Sequence, residues 1–151
     1  MTSKVSLKQD IIINLINNVP TALAIPTVAF IVSNTKATVT NWFINVLLAF
    51  VVSCIVYFIF PLGKIAIAVP SYFHIAPKNI LGRLIGNIPV NFINVLIIGT
   101  TLNYYNLRQF PEFIFSLLAT IAPIYLVSYL LSTITNIFAD KLAFGTTNSI
   151  T

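Results

Sequence analysis

Apolar runs of membrane-crossing length follow one another along this chain, separated by short polar stretches. A spanning helix needs about 20 mainly apolar residues. Four segments meet that length, at residues 11–32, 42–62, 82–102 and 113–138. The first connection, residues 33–41, is polar. The second, residues 63–80, holds Lys64, Pro70, His74, Pro77 and Lys78, and the third, residues 103–111, carries Tyr104, Tyr105 and Arg108. From Lys64 to Lys78 the chain is apolar with basic ends, a pattern that suits lying along a leaflet. The expectation is an all-α membrane protein: a single integral membrane domain over residues 1–151 with four transmembrane helices.

The spans also resemble one another in pairs. Leu15-Ile16-Asn17-Asn18-Val19-Pro20 returns about 70 positions later as Leu84-Ile85-Gly86-Asn87-Ile88-Pro89. Phe43-Ile44 and Leu47-Leu48-Ala49 return as Phe113-Ile114 and Leu117-Leu118-Ala119. This predicts two helical-hairpin repeats, one over about 11–62 and one over about 82–138. With two helices each, both hairpins cross the membrane the same way up, so the repeats are parallel and related by an axis along the membrane normal.

Composition excludes the soluble classes. The chain is 58% hydrophobic and only 7% charged, against roughly 25% charged residues in soluble domains. The eight basic residues are scattered singly, not gathered on one face, so no nucleic-acid partner is implied. Membrane lipid is. Lys4, Lys8, Lys64, Lys78, Arg83 and Lys141 fall on one side of the predicted spans, and only Lys36 and Arg108 on the other. Basic residues favour the cytoplasmic side. Both termini are therefore expected there, in a multi-pass protein of a bacterial cytoplasmic (inner) membrane. No small-residue cleavage pattern follows Met1 to Lys8, so the first span reads as retained. Trp42, Tyr104 and Tyr105 suit the outer interface, and Tyr72 and Phe73 the inner one.

Asp10 and Glu112 fall where a helix dipole favours a carboxylate, and Arg108 is spaced to pair with Glu112. Between their ends the spans hold no Asp, Glu, Lys, Arg or His. That disfavours a carboxylate-driven antiporter, since intramembrane charges are the usual functional sites. What the spans do hold is amide and hydroxyl. Asn87, Asn91 and Asn94 share one helical stripe, as do Asn14, Asn18 and Thr21, and also Tyr125, Tyr129, Ser132 and Asn136. Exposed to lipid, such groups would lose their hydrogen bonds. They must meet either neighbouring helices or a wet cavity. The candidate ligand-binding residues are Asn18, Asn87, Asn91, Asn94, Tyr125 and Tyr129.

Pro20, Pro89 and Pro123 mark helix breaks. Pro20 and Pro89 leave the carbonyls of Ile16 and Ile85 without their usual donors; Asn17, Asn18 and Asn87 are placed to supply them. The breaks are either static bends or part of a binding site. His74 is a single histidine with no metal-ligand neighbour, and Cys54 is a lone cysteine inside a span. Nucleophile elbows, phosphate loops and metal motifs are absent from the sequence, so neither an enzyme nor a cofactor or metal is expected.

Each half resembles a two-helix bacterial membrane module of a family of unknown function. The resemblance rests on Asn18-Val19-Pro20 with Trp42, Ala49 and Pro61-Leu62-Gly63-Lys64, then Asn87-Ile88-Pro89 with Phe113, Ala119, Pro123 and Lys141. It covers residues 11–142 and implies a fold and a bacterial membrane location, without an activity. The chain is also similar to small four-helix exporters of antimicrobial compounds. Those carry an acid inside the first helix, where this sequence has only Asp10 at the edge. The leading expectation is binding or passage of a small, neutral or weakly charged molecule through a cavity lined by Asn, Tyr and Ser. The alternative is a non-transport accessory or immunity-type protein that binds a partner helix. Because four helices enclose little space, a homo-oligomer is expected.

Overall fold

The computed structural model describes residues 7–33, 38–77 and 79–144, with side chains over residues 15–33, 38–77 and 79–139. It is all-helical among the described residues: α1 Leu7–Val32, α2 Val39–Ile59, α3 Leu62–Tyr72, α4 Ile80–Leu107 and α5 Glu112–Phe144. All except α3 are long and apolar enough to cross a membrane. At 1.5 Å per residue, α2 is about 32 Å long and α4 about 42 Å, against a hydrocarbon core of about 30 Å.

Local chemistry explains the helix ends, several of which differ from the apolar pattern. Thr38 starts α2 at Val39, because its side chain accepts from the Asn41 N–H at 3.2 Å and satisfies a free first-turn donor. The helix then stops at Ile59, short of residue 62. Pro61 disfavours helical backbone in the residue before it, and Phe60 is extended at φ −97° and ψ 134°. α4 continues beyond residue 102 to Leu107. There Asn103 and Asn106 do not open a loop; they turn their amides back onto the Gly99 and Leu102 carbonyls at 2.9 and 2.8 Å. Arg108 ends α4 in the left-handed region, φ 53°. It then faces Tyr105, not the expected Glu112. Its Nε donates to the Tyr105 carbonyl at 3.3 Å, and its guanidinium carbon lies 5.6 Å from the Tyr105 ring centre. Glu112 opens α5 as anticipated. Asp10 lies within α1, and its side chain, like that of Asn14, is outside the described set.

The long helices form a ring. α1 packs on α2 and most extensively on α5, α4 packs on α5 and more lightly on α2, and α1 barely meets α4. Ala22 and Ile25 of α1, Ala49 of α2, Val95, Ile98 and Leu102 of α4, and Ile124 of α5 fill the centre. Between 22% and 28% of each candidate span is buried inside the fold. Most of the apolar surface therefore faces outward, as a bilayer solvent requires.

The second connection is not an isolated surface segment. Its helix α3 docks against α4. Gly82 and Gly86, one turn apart on the same face of α4, make the approach possible. A Cβ on Gly86 would run into the Ala66 carbonyl oxygen and sit 3.0 Å from the carbonyl carbon. On Gly82 it would meet the Ala76 carbonyl and lie 2.9 Å from Pro77 Cα. Small residues of this kind let helix backbones touch.

The two sequence halves pack in different registers. Asn18 donates to Cys54 Sγ of α2 at 3.9 Å, whereas its counterpart Asn87 reaches Ser132 and Thr133 of α5. The position matched to Cys54 is Ile124, which lies in the core. α4 stays helical from Pro89 to Leu107 before turning, while α1 runs only from Pro20 to Val32. The partner helix is thereby displaced along the seam. The break at Pro61 also has no equivalent in α5, which is continuous where α2 and α3 are two pieces.

Candidate functional site: the α4–α5 seam

Asn87 and Asn91 are one turn apart on α4, and both point at α5. The Asn87 amide nitrogen donates to Ser132 Oγ at 2.7 Å, to Thr133 Oγ1 at 2.9 Å and, at 3.4 Å, to the Tyr129 carbonyl. Asn91 donates to the Tyr125 carbonyl at 3.2 Å, and Ser128 Oγ donates to Asn91 Oδ1 at 2.7 Å. Asn87 is 5% exposed, Asn91 2% and Ser128 0%. Partners ascend one helix as they descend the other, so the pairs form a ladder along an antiparallel seam.

Tyr125 and Tyr129 bind in the opposite direction, from α5 to α4. Their rings stack at 6.0 Å and 20°. The Tyr129 hydroxyl donates to the Leu84 carbonyl at 3.0 Å and that of Tyr125 to the Ile88 carbonyl at 3.2 Å. These two carbonyls bracket the turn loosened by Pro89. The extra donors beside Pro89 thus come from the neighbouring helix. The Asn87 amide, expected to serve the Ile85 carbonyl, is spent on α5 instead. Pro89, like Pro20, Pro26 and Pro123, lies inside a continuous helix, so the expected helix breaks are absent at all four prolines.

The remaining candidates do not join this cluster. Asn94 is half-buried, and its Oδ1 has no hydrogen-bond partner. Asn18 faces α2. Asn17 Oδ1 is likewise buried without a partner, while the Asn17 carbonyl accepts from Thr21 at 3.0 Å. Beside the seam, Ile88, Pro89, Phe92, Ile121, Ala122 and Tyr125 line a shallow open hollow of about 460 Å³. Its walls are almost wholly apolar, so it is distinct from a cavity lined by Asn, Tyr and Ser.

No protein-family model, curated protein or solved structure matches the chain. Function must therefore be argued from geometry.

Two further polar clusters lie outside the helical stripes. At the far end of the bundle Asn45 and Asn106 exchange amide bonds at 3.2 and 2.7 Å, with Asn45 also donating to the Asn41 side chain at 3.1 Å. Nearby, the Trp42 indole N–H donates to Thr27 Oγ1 at 2.9 Å. Asn106 lies beyond the apolar pattern of its span, so the sequence gives no sign that it meets Asn45. Ser128, one turn before Ser132 on the same face, also belongs to the seam. The Gly82/Gly86 spacing was a legible close-packing signal.

Proposed function

We propose that this multi-pass membrane protein is a non-transport accessory protein that meets a partner helix through its outward apolar surfaces, with its polar stripe serving to hold the bundle together. One observation carries the reading: the Asn87 and Asn91 amides and the Tyr125 and Tyr129 hydroxyls are all bonded to protein groups across a nearly closed α4–α5 seam. Such bonds average about 0.6 kcal/mol in membrane bundles, and a row of them fixes register. The distribution of basic residues supports a cytoplasmic-membrane location with both termini inside.

Binding or passage of a small neutral molecule is the second reading, and it has its own observation. Asn17 Oδ1 and Asn94 Oδ1 are buried acceptors without donors, and such groups are costly in an apolar interior. A molecule carrying N–H or O–H groups would satisfy them.

Thiol accessibility separates the two. In a Cys54→Ser background, Asn91→Cys and Asn94→Cys should resist a small water-soluble thiol reagent while the protein is folded. Rapid reaction at either site would overturn the accessory reading and favour a wet, ligand-accepting interior.

A further inference from the structure

The hollow beside Pro89 is placed to take a specific occupant. It lies on α5 between residues 121 and 125, about 14–20 Å along the helix axis from Glu112, and so near the middle of a hydrocarbon core of about 30 Å. It is open to the side, and at that depth the side is bilayer. The walls offer nothing polar to a ligand, because the Tyr125 hydroxyl is committed to the Ile88 carbonyl and Asn91 to α5. A molecule with polar atoms at this depth would leave them unpaired.

A second helix fits less well than a chain. Close helix contact in membranes relies on small residues. The α4 glycines are already used inside the fold, Gly82 and Gly86 against the α3 region and Gly99 against Leu117. The hollow has only Pro89 and Ala122 as small members. Ile88, Phe92, Ile121 and Tyr125 stand beside them, and the Phe92 and Tyr125 rings meet edge to face at 6.2 Å. We infer that the hollow formed by Pro89, Phe92, Ile121, Ala122 and Tyr125 is a selective site for one hydrocarbon tail of a bilayer phospholipid, entering laterally with its headgroup at the interface. The inference rests on the membrane-spanning, dry-seam reading above.

The test uses the full chain in vesicles of phosphatidylethanolamine and phosphatidylglycerol, doped with a phosphatidylglycerol that carries a photoactivatable diazirine midway along one tail. After illumination, adducts are mapped by mass spectrometry. Ile88, Phe92, Ile121 and Ala122 should carry several-fold more adduct than Leu118, Leu126 and Leu130, which are 63%, 59% and 54% exposed on the same α5. Ala122→Phe, or Ala122→Leu if the larger residue impairs folding, should bring that excess down to the level of the neighbours. Equal yields at all exposed apolar positions would overturn the inference, as would an excess that survives filling the hollow. Disulfide-linked dimers through Ala122→Cys in a Cys54→Ser background would overturn it in favour of a second copy. Labelling of Asn91→Cys is read separately: a reactive site 91 defeats the dry seam, whereas an inert site 91 with uniform adducts defeats only the lipid site.

Discussion

The Ser128–Asn91 bond offers the sharpest test of the seam. Ser128 Oγ donates to Asn91 Oδ1 at 2.7 Å, and the two residues are 0% and 2% exposed. Ser128→Ala removes that bond and leaves the Asn91 amide on the Tyr125 carbonyl. The expected cost is about 0.6 kcal/mol and at most about 1.7, the measured span for such bonds in a membrane bundle. Asn91→Leu removes both bonds at roughly conserved volume, for about twice that average. With Asn91 already gone, Ser128→Ala has no bond left to lose to it. The double variant should therefore be more stable than the sum of the single losses implies, by about 0.6 to 1.7 kcal/mol. Reversible unfolding in mixed micelles, followed by helix circular dichroism, measures all four corners of the cycle. In a wet cavity, water would replace each lost partner and the losses would add. Additivity to within about 0.3 kcal/mol, the scatter for independent sites, would refute the sealed seam.

Other expectations follow from the same packing. Gly86→Val places side-chain atoms against the Ala66 backbone, so α3 should lift from α4; amide exchange over residues 62–72 should quicken while α5 is unchanged, and unaltered exchange would refute the docking. Tyr129→Phe removes the hydroxyl that donates to the Leu84 carbonyl near Pro89 and should destabilise the bundle by about 0.6 kcal/mol; a variant of unchanged unfolding midpoint would show that the bond contributes nothing. In a Cys54→Ser background, Thr40→Cys and Gln109→Cys should label from outside intact cells and Ser71→Cys and Ala76→Cys only after lysis; equal labelling of all four would mean dual orientation. Pro61→Ala should extend helical structure across residues 60–62 and slow exchange there, whereas a retained break would place its cause outside the proline.

The span count was legible in one dimension because the bilayer tests each segment separately. A stretch in hydrocarbon must satisfy its backbone, so the length of an apolar run is enough to mark a helix able to cross a membrane. Helix ends follow nearly as locally. The Thr38 cap and the Pro61 stop each act over a few residues, so both ends of α2 are encoded locally. The extension of α4 through Asn103 and Asn106 was hidden, because Asn favours loops and helix ends alike until its amide finds a carbonyl one turn back.

Which groups meet was a different question. Helical periodicity predicts that Asn87, Asn91 and Asn94 share a stripe, but the neighbour opposite belongs to another part of the chain. Packed helices cross at an angle, so a straight stripe leaves the seam: Asn87 and Asn91 reach α5, while Asn94 Oδ1 finds no partner. Sequence likeness between the halves did not set register either, since α4 runs further past its proline than α1 does and displaces its partner along the seam. The docking of α3 likewise depends on Gly82 and Gly86 meeting Ala76 and Ala66, a contact between backbones to which no single segment commits. The sequence by itself thus determined which four helices are long and apolar enough to span and roughly where they end, through interactions within each segment. Their rotation, their register and the partners of the polar side chains that reach across helices were decided only by tertiary packing, because those depend on atoms that different segments bring to the same place.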